Sequence, residues 1–152
     1  MLYVIMRKSY MDEEAYMDAF SNLQPTEYVN FGKWLAFVFE GKFKCYDPDG
    51  SDLGSWYYKH ENTEWKEDKD EEKLREAIST DGYNMLIQHM LIITSNLKVD
   101  GLPEECYDHM HDRMKELAYI VPDLQETERI TLVIKHMKQT FYDANFKPKS
   151  ME

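Results

Sequence analysis

The sequence predicts an α+β fold, with a small β-hairpin or sheet and one helix in the amino-terminal half packed on a carboxy-terminal bundle of three to four helices. Three observations predict it. Apolar and aromatic residues alternate between Phe37 and His60 on either side of a strong turn signal, Asp47-Pro48-Asp49-Gly50. From Asp70 onward the apolar residues recur at helical spacing. The chain has 152 residues, 43% hydrophobic and 14% aromatic, enough to bury one core and too apolar for a disordered chain. One domain is expected over 1–152: a β-containing half at 1–65, a helical half at 66–145 and a frayed tail at 146–152.

Leu2 to Met6 is apolar and β-branched, which predicts a strand buried on both faces. A helix follows from about Asp12 to Leu23. Tyr16, Ala19, Phe20 and Leu23 share a face, and Asp12, Glu13 and Glu14 oppose the positive end of its dipole. Pro25 ends it. The next stretch fits two patterns. Phe37, Phe39, Phe43 and Cys45 alternate around Glu40-Gly41-Lys42, whereas Thr26 can cap a helix whose face is Phe31, Trp34, Leu35 and Val38. Strands from about Trp34 onward are the favoured reading. Asp47-Pro48-Asp49-Gly50 predicts a hairpin loop, with a return strand over Ser55 to His60.

Asp70 to Thr80 predicts a short helix burying Leu74, Ala77 and Ile78, with Asp81 capping the next, which runs to about Asn96. Met85, Leu86, Ile87, Met90, Leu91, Ile92 and Ile93 cover most of that helix's circumference, so it is expected at the centre. Pro103 suits a first helical position. The helix after it should bury Cys106, Met110, Met114, Leu117 and Val121 until Pro122 stops it. A last helix, from about Asp123 to Ala144, should bury Ile130, Val133, Ile134, Met137 and Phe141.

Charge narrows the function. Asp and Glu total 29 against 18 Lys and Arg, a net of −11, so direct nucleic-acid binding is not expected. The excess is local: residues 47–72 hold 10 acids against Lys59, Lys66 and Lys69, a net of −7. Trp56, Tyr57, Tyr58 and Trp65 lie in the same stretch. Rings beside dense carboxylates are what a basic protein surface can recognise, the rings as desolvated anchors and the acids as steering charges. The competing reading puts Trp56 and Tyr58 in the core and leaves the acids as a solvated loop and helix start.

Other chemistry is thinly marked. Cys106 and His109 share a helical face, but His109 and His111 point about 200° apart and cannot reach one ion. Asp47-x-Asp49-x-Ser51 opens like a calcium loop, yet Asp52 stands where glycine is needed and Tyr58 where glutamate is needed. No phosphate loop, dinucleotide fingerprint or nucleophile elbow is present. No cofactor is expected. Two cysteines make no disulfide framework, the longest apolar run, Trp34 to Phe39, is too short to span a bilayer, and the first residues lack the order of a secretory signal. A cytoplasmic protein with no membrane contact is expected.

The expected function is that of a non-enzymatic acidic protein that inhibits a basic, nucleic-acid-handling partner such as a nuclease. Immunity proteins and phage-encoded anti-defence inhibitors, anti-CRISPR proteins among them, use this physics, with carboxylates standing in for phosphates as a DNA mimic. The candidate contact residues are Trp56, Tyr57, Tyr58, Glu61, Glu64, Trp65, Glu67, Asp68, Asp70, Glu71 and Glu72. Two other classes compete: a structural or adaptor subunit using an apolar helical face, and a small metal- or thiol-dependent enzyme centred on Cys106 and His109.

Overall fold

A computed structural model describes residues 13–47, 54–59 and 64–147. The fold is α+β, a small antiparallel sheet against a set of helices. Helices α1 (Glu13–Ser21) and α2 (Tyr28–Val38) precede strands β1 (Phe43–Tyr46), β2 (Ser55–Tyr58) and β3 (Lys66–Glu67). A 3₁₀ turn (Lys69–Glu71) leads into α3 (Glu72–Ala77), which continues through a π turn (Ile78–Gly82) into α4 (Tyr83–Asn96). Helix α5 (Glu104–Ile120), a 3₁₀ turn (Val121–Leu124) and α6 (Thr127–Phe141) complete it. The expected strand at Leu2–Met6 and the tip of the hairpin loop lie outside the described residues, as does Glu61.

The centre of the fold is α2 against α6. Ile130, Val133, Ile134 and Met137 recur at helical spacing on α6 and are all buried. They meet Phe31, Trp34 and Leu35 of α2, each with no exposed surface, and Gly32 sets how close the axes come. A Cβ at Gly32 would lie 3.2 Å from Met137 Cα and 3.4 Å from the His136 carbonyl oxygen, so any side chain there would press on the α6 backbone. The same core takes Tyr16 and Phe20 from α1, Trp56 from β2, Leu74 and Ile78 from the α3 region, Leu86 from α4 and Leu117 from α5. Each fully buried Leu or Phe contributes about 1.5–3 kcal/mol, and truncating Trp34 to alanine would cost about 3–5 kcal/mol.

Under this core sits a polar chain. The Trp34 indole donates to the Tyr16 hydroxyl at 3.3 Å, and the Tyr16 oxygen lies 2.7 Å from His89 Nε2. Phe20 stacks on the His89 ring at 3.9 Å, and the Arg113 guanidinium lies 5.3 Å from the centre of the Phe20 ring. Arg113 also donates to the carbonyls of Phe20 and Leu23, at 2.8 and 2.7 Å, placing a cation at the negative end of α1, which carries none in its own last turn.

The sheet order is β1-β2-β3, with Phe43 opposite Tyr58, Cys45 opposite Trp56, and Tyr58 opposite Lys66. Alternation sends Phe43, Cys45 and Trp56 into the core and Lys44, Tyr46 and Tyr57 to the other face. A parallel bridge from Cys45 to Tyr142 covers part of the free edge of β1.

Five expectations are corrected. Residues 28–38 form a helix, not strands from Trp34, because only the 3.6-residue pattern brings Phe31, Gly32, Trp34 and Leu35 together onto α6; the amino-terminal half therefore carries two helices. Asp81 caps nothing: the backbone stays helical through the π turn, where a Cβ on Gly82 would meet Leu35 Cδ2 at 3.3 Å. Helix α4 is peripheral. Only Leu86 and His89 are buried and Leu91 is 57% exposed, since among the described residues neighbours cover one side of the helix. On α5, Cys106 is exposed and Pro103 precedes the helix, leaving Leu117 and Ile120 as its buried positions. Finally, Phe146, assigned to a frayed tail, is only 8% exposed.

Candidate binding surface

The acidic segment begins where β2 meets β3. Tyr57 pairs with Glu67 and Tyr58 with Lys66, so consecutive residues of β3 send a carboxylate and an ammonium to opposite faces. On the outer face an aromatic cluster forms around Phe146, with ring centres 5.5 Å from Tyr57, 5.4 Å from Trp65 and 6.5 Å from Tyr46. The Lys44 ammonium lies 5.3 Å from the centre of the Trp65 ring and 5.2 Å from that of Phe146, and it bonds Asp143 at 3.0 Å. That hydrogen bond holds the Asp143 carboxyl below its ordinary range. Burial, reinforced by the Glu67 charge, raises the Tyr57 phenol.

The carboxylates divide into structural and exposed groups. Asp68 is 5% exposed and accepts hydrogen bonds from the backbone N–H groups of Lys73 and Leu74, both at 2.8 Å. It thus caps α3 from three residues before the usual capping position. Asp70 and Glu71, between them, both take left-handed backbone angles (φ 57° and 58°), which fold the chain back for that reach. Glu71 pairs with Arg75 at 3.3 Å, and Arg75 reaches on to Thr131 of α6 at 2.8 Å. Asp47, also buried, meets Lys138 at 2.6 Å. Glu64, Glu67, Asp70 and Glu72 are exposed.

Of the expected contact residues, Trp56 and Asp68 are therefore buried with structural roles, and Glu71 is half-buried in an ion pair. Tyr57, Tyr58 and Trp65 are half-buried. Two features escaped the sequence reading. One is a column of exposed acids on α5, Glu104, Asp108 and Asp112, at i, i+4 spacing, where like charges destabilise a helix slightly. The spacing is legible in the sequence once α5 is known to face solvent. The other is a groove of about 930 Å³ between the sheet and α3, whose lining includes Lys42, Lys59, Lys66 and Lys73.

The catalytic candidates stay apart from any such construction. Cys106, His109 and His111 are exposed on α5, and among the described residues no group of three His, Cys, Asp or Glu side chains is placed to hold a metal ion. Cys45 is buried and burial pushes its thiol up to about 11, so the neutral form prevails near pH 7. No helix among the described residues is long and apolar enough to cross a membrane. Compared with protein-family models and with curated protein sequences, the chain matches none.

Proposed function

We propose that this chain is a non-enzymatic, acidic cytoplasmic protein that inhibits a basic, nucleic-acid-handling protein, in the manner of an immunity protein or a phage anti-defence inhibitor. One observation carries the reading. Glu67, Asp70 and Glu72 are exposed and make no ion pair among the described residues, and they follow directly on the half-exposed rings of Tyr57 and Trp65. In a chain of net charge −11 these groups offer steering and charge-assisted bonds, with ring edges beside them for desolvated contact. The link from such a surface to occlusion of a phosphate-binding groove is an analogy of class.

The test is competition with DNA. A panel of cationic nucleases is titrated with the protein, and with a variant carrying Glu67→Gln, Asp70→Asn and Glu72→Gln. The expected result is inhibition relieved by duplex DNA, weakening steeply as salt rises, and reduced at least tenfold in the variant. Inhibition that ignores salt and survives the triple change overturns the reading, as does a panel with no inhibition.

Helix α4 supports a second reading, a structural or adaptor subunit. Leu91 is 57% and nearby Val99 48% exposed, and most of the other apolar side chains of α4 are half-covered. An increase in scattering mass with concentration, unchanged in the triple carboxylate variant, supports this reading against the first.

A further inference from the structure

The groove between the sheet and α3 is where the charge of this molecule reverses. Lys42 enters it from the turn after α2, Lys59 from the end of β2, Lys66 from β3 and Lys73 from α3. The Lys59 N–H donates to the Lys42 carbonyl at 2.9 Å, and the Tyr58–Lys66 register fixes the third lysine beside them. Three of these stretches are thus held together by backbone hydrogen bonds and the sheet, and α3 lines the other side.

None of Lys42, Lys66 and Lys73 makes an ion pair or ring contact among the described residues, and Lys59 only faces the Trp65 ring at 5.7 Å. Folding gathers four lysines along one groove in a chain with 11 more acids than bases. Lys42, Lys66 and Lys73 are exposed, unlike the half-buried cations Lys44, Arg75 and Lys138, which pair with Asp143, Glu71 and Asp47. Glu40, Glu76 and Asp81 also border the groove. They bring its local balance to four ammoniums against three carboxylates, so a bound anion must engage several lysines at once to outweigh the repulsion. Tyr58 and Thr80 add two hydroxyls to the lining, and Phe43 and Ala77 an apolar floor. A volume of about 930 Å³ is that of a small-molecule site.

We infer that this groove is a binding site for a compact multivalent phosphate, the polyphosphate group of a small molecule, held by Lys42, Lys59, Lys66 and Lys73. The inference does not depend on the proposed inhibitor role, since it draws on lysines and not on the exposed acids.

Calorimetric titration at low ionic strength tests it with two probes, inorganic pyrophosphate and ATP. One site is expected, with affinity falling about tenfold or more in a Lys66→Gln, Lys73→Gln variant and unchanged in Lys135→Gln, which lies on α6. Equal affinity for the two probes assigns the site to the phosphates alone; tighter ATP binding adds a contribution from the ring-bearing part of the ligand near Tyr58. Backbone amide NMR of the intact chain keeps the test independent of the variants: pyrophosphate should shift the resonances of Lys42, Lys59, Lys66 and Thr80. No saturable binding, or binding that the double variant leaves intact with shifts elsewhere, overturns the inference.

Discussion

The Tyr16 hydroxyl and His89 Nε2 share a hydrogen bond of 2.7 Å. Trp34 joins the same oxygen through an indole N–H that can only donate. At 3.3 Å it occupies one lone pair of the Tyr16 oxygen, leaving the hydroxyl hydrogen and the second lone pair for the imidazole.

That arrangement holds His89 neutral. Burial, then the Arg113 charge, lowers it from 6.5 to about 4, and burial raises Tyr16 to about 12. Between pH 6.5 and 4 the unfolded chain binds a proton that the folded chain does not, so stability falls as pH falls through that window. The loss amounts to about 3 kcal/mol. Denaturant melts at pH 7, 5.5 and 4 should show it, and a His89→Gln variant, which keeps an acceptor for Tyr16, should lose that slope. The comparison cancels the contribution of Asp123, whose carboxyl burial raises and whose pH dependence has the opposite sign. Parallel slopes for the two proteins would show that His89 titrates normally.

Gly32→Ala should destabilise the protein by about 1 kcal/mol. Alanine gains about 1 kcal/mol in helix propensity, but its methyl would press on main-chain atoms of Met137 and His136, which cannot rotate away. Gly32→Val should cost roughly 3 kcal/mol or more. Urea melts check both, and a stabilised alanine variant would mean that α2 and α6 separate easily.

Asp68→Ala should cost about 1–2 kcal/mol, since two backbone donors of α3 lose their acceptor. Asp68→Asn should recover part of that. Amide hydrogen exchange localises the effect: Lys73 and Leu74 should exchange faster in the alanine variant while α6 stays protected.

Native protein should react with one equivalent of an aromatic disulfide reagent at neutral pH, and with two after unfolding. Cys106 is exposed, whereas Cys45 is buried with its thiol pushed up to about 11. Two fast thiols in the native state would contradict the packing of Cys45 under Gly54 and Lys138.

Legibility in the sequence followed how many patterns each segment satisfied. Helix α6 satisfies one, and Ile130, Val133, Ile134 and Met137 are buried as their spacing predicts. The pairing of the strands on either side of Asp47-Pro48-Asp49-Gly50 was legible from those turn residues, whereas Trp56, expected as a contact residue, is buried. Residues 28–39 satisfy two patterns, and the choice is made by a contact with α6 that no local window contains. Helix α4 misleads in the opposite way: apolar all round, it looks central, yet burial needs neighbours on every side. The candidate surface was half legible. A count of charge finds residues 47–72, but cannot tell that Asp47 and Asp68 are spent inside the fold, or that Lys42, Lys59, Lys66 and Lys73 meet.

The pairing of α2 with α6 also sets when the molecule can fold. During synthesis α2 leaves the ribosome with Trp34, Phe31 and Leu35 bare, and its partner helix follows roughly a hundred residues later, on the order of 5–20 s at ordinary elongation rates. The nascent chain must carry that sticky helix through the whole interval, so a chaperone that holds growing chains, or a pause before Thr127, would affect the yield of this protein more than its final stability.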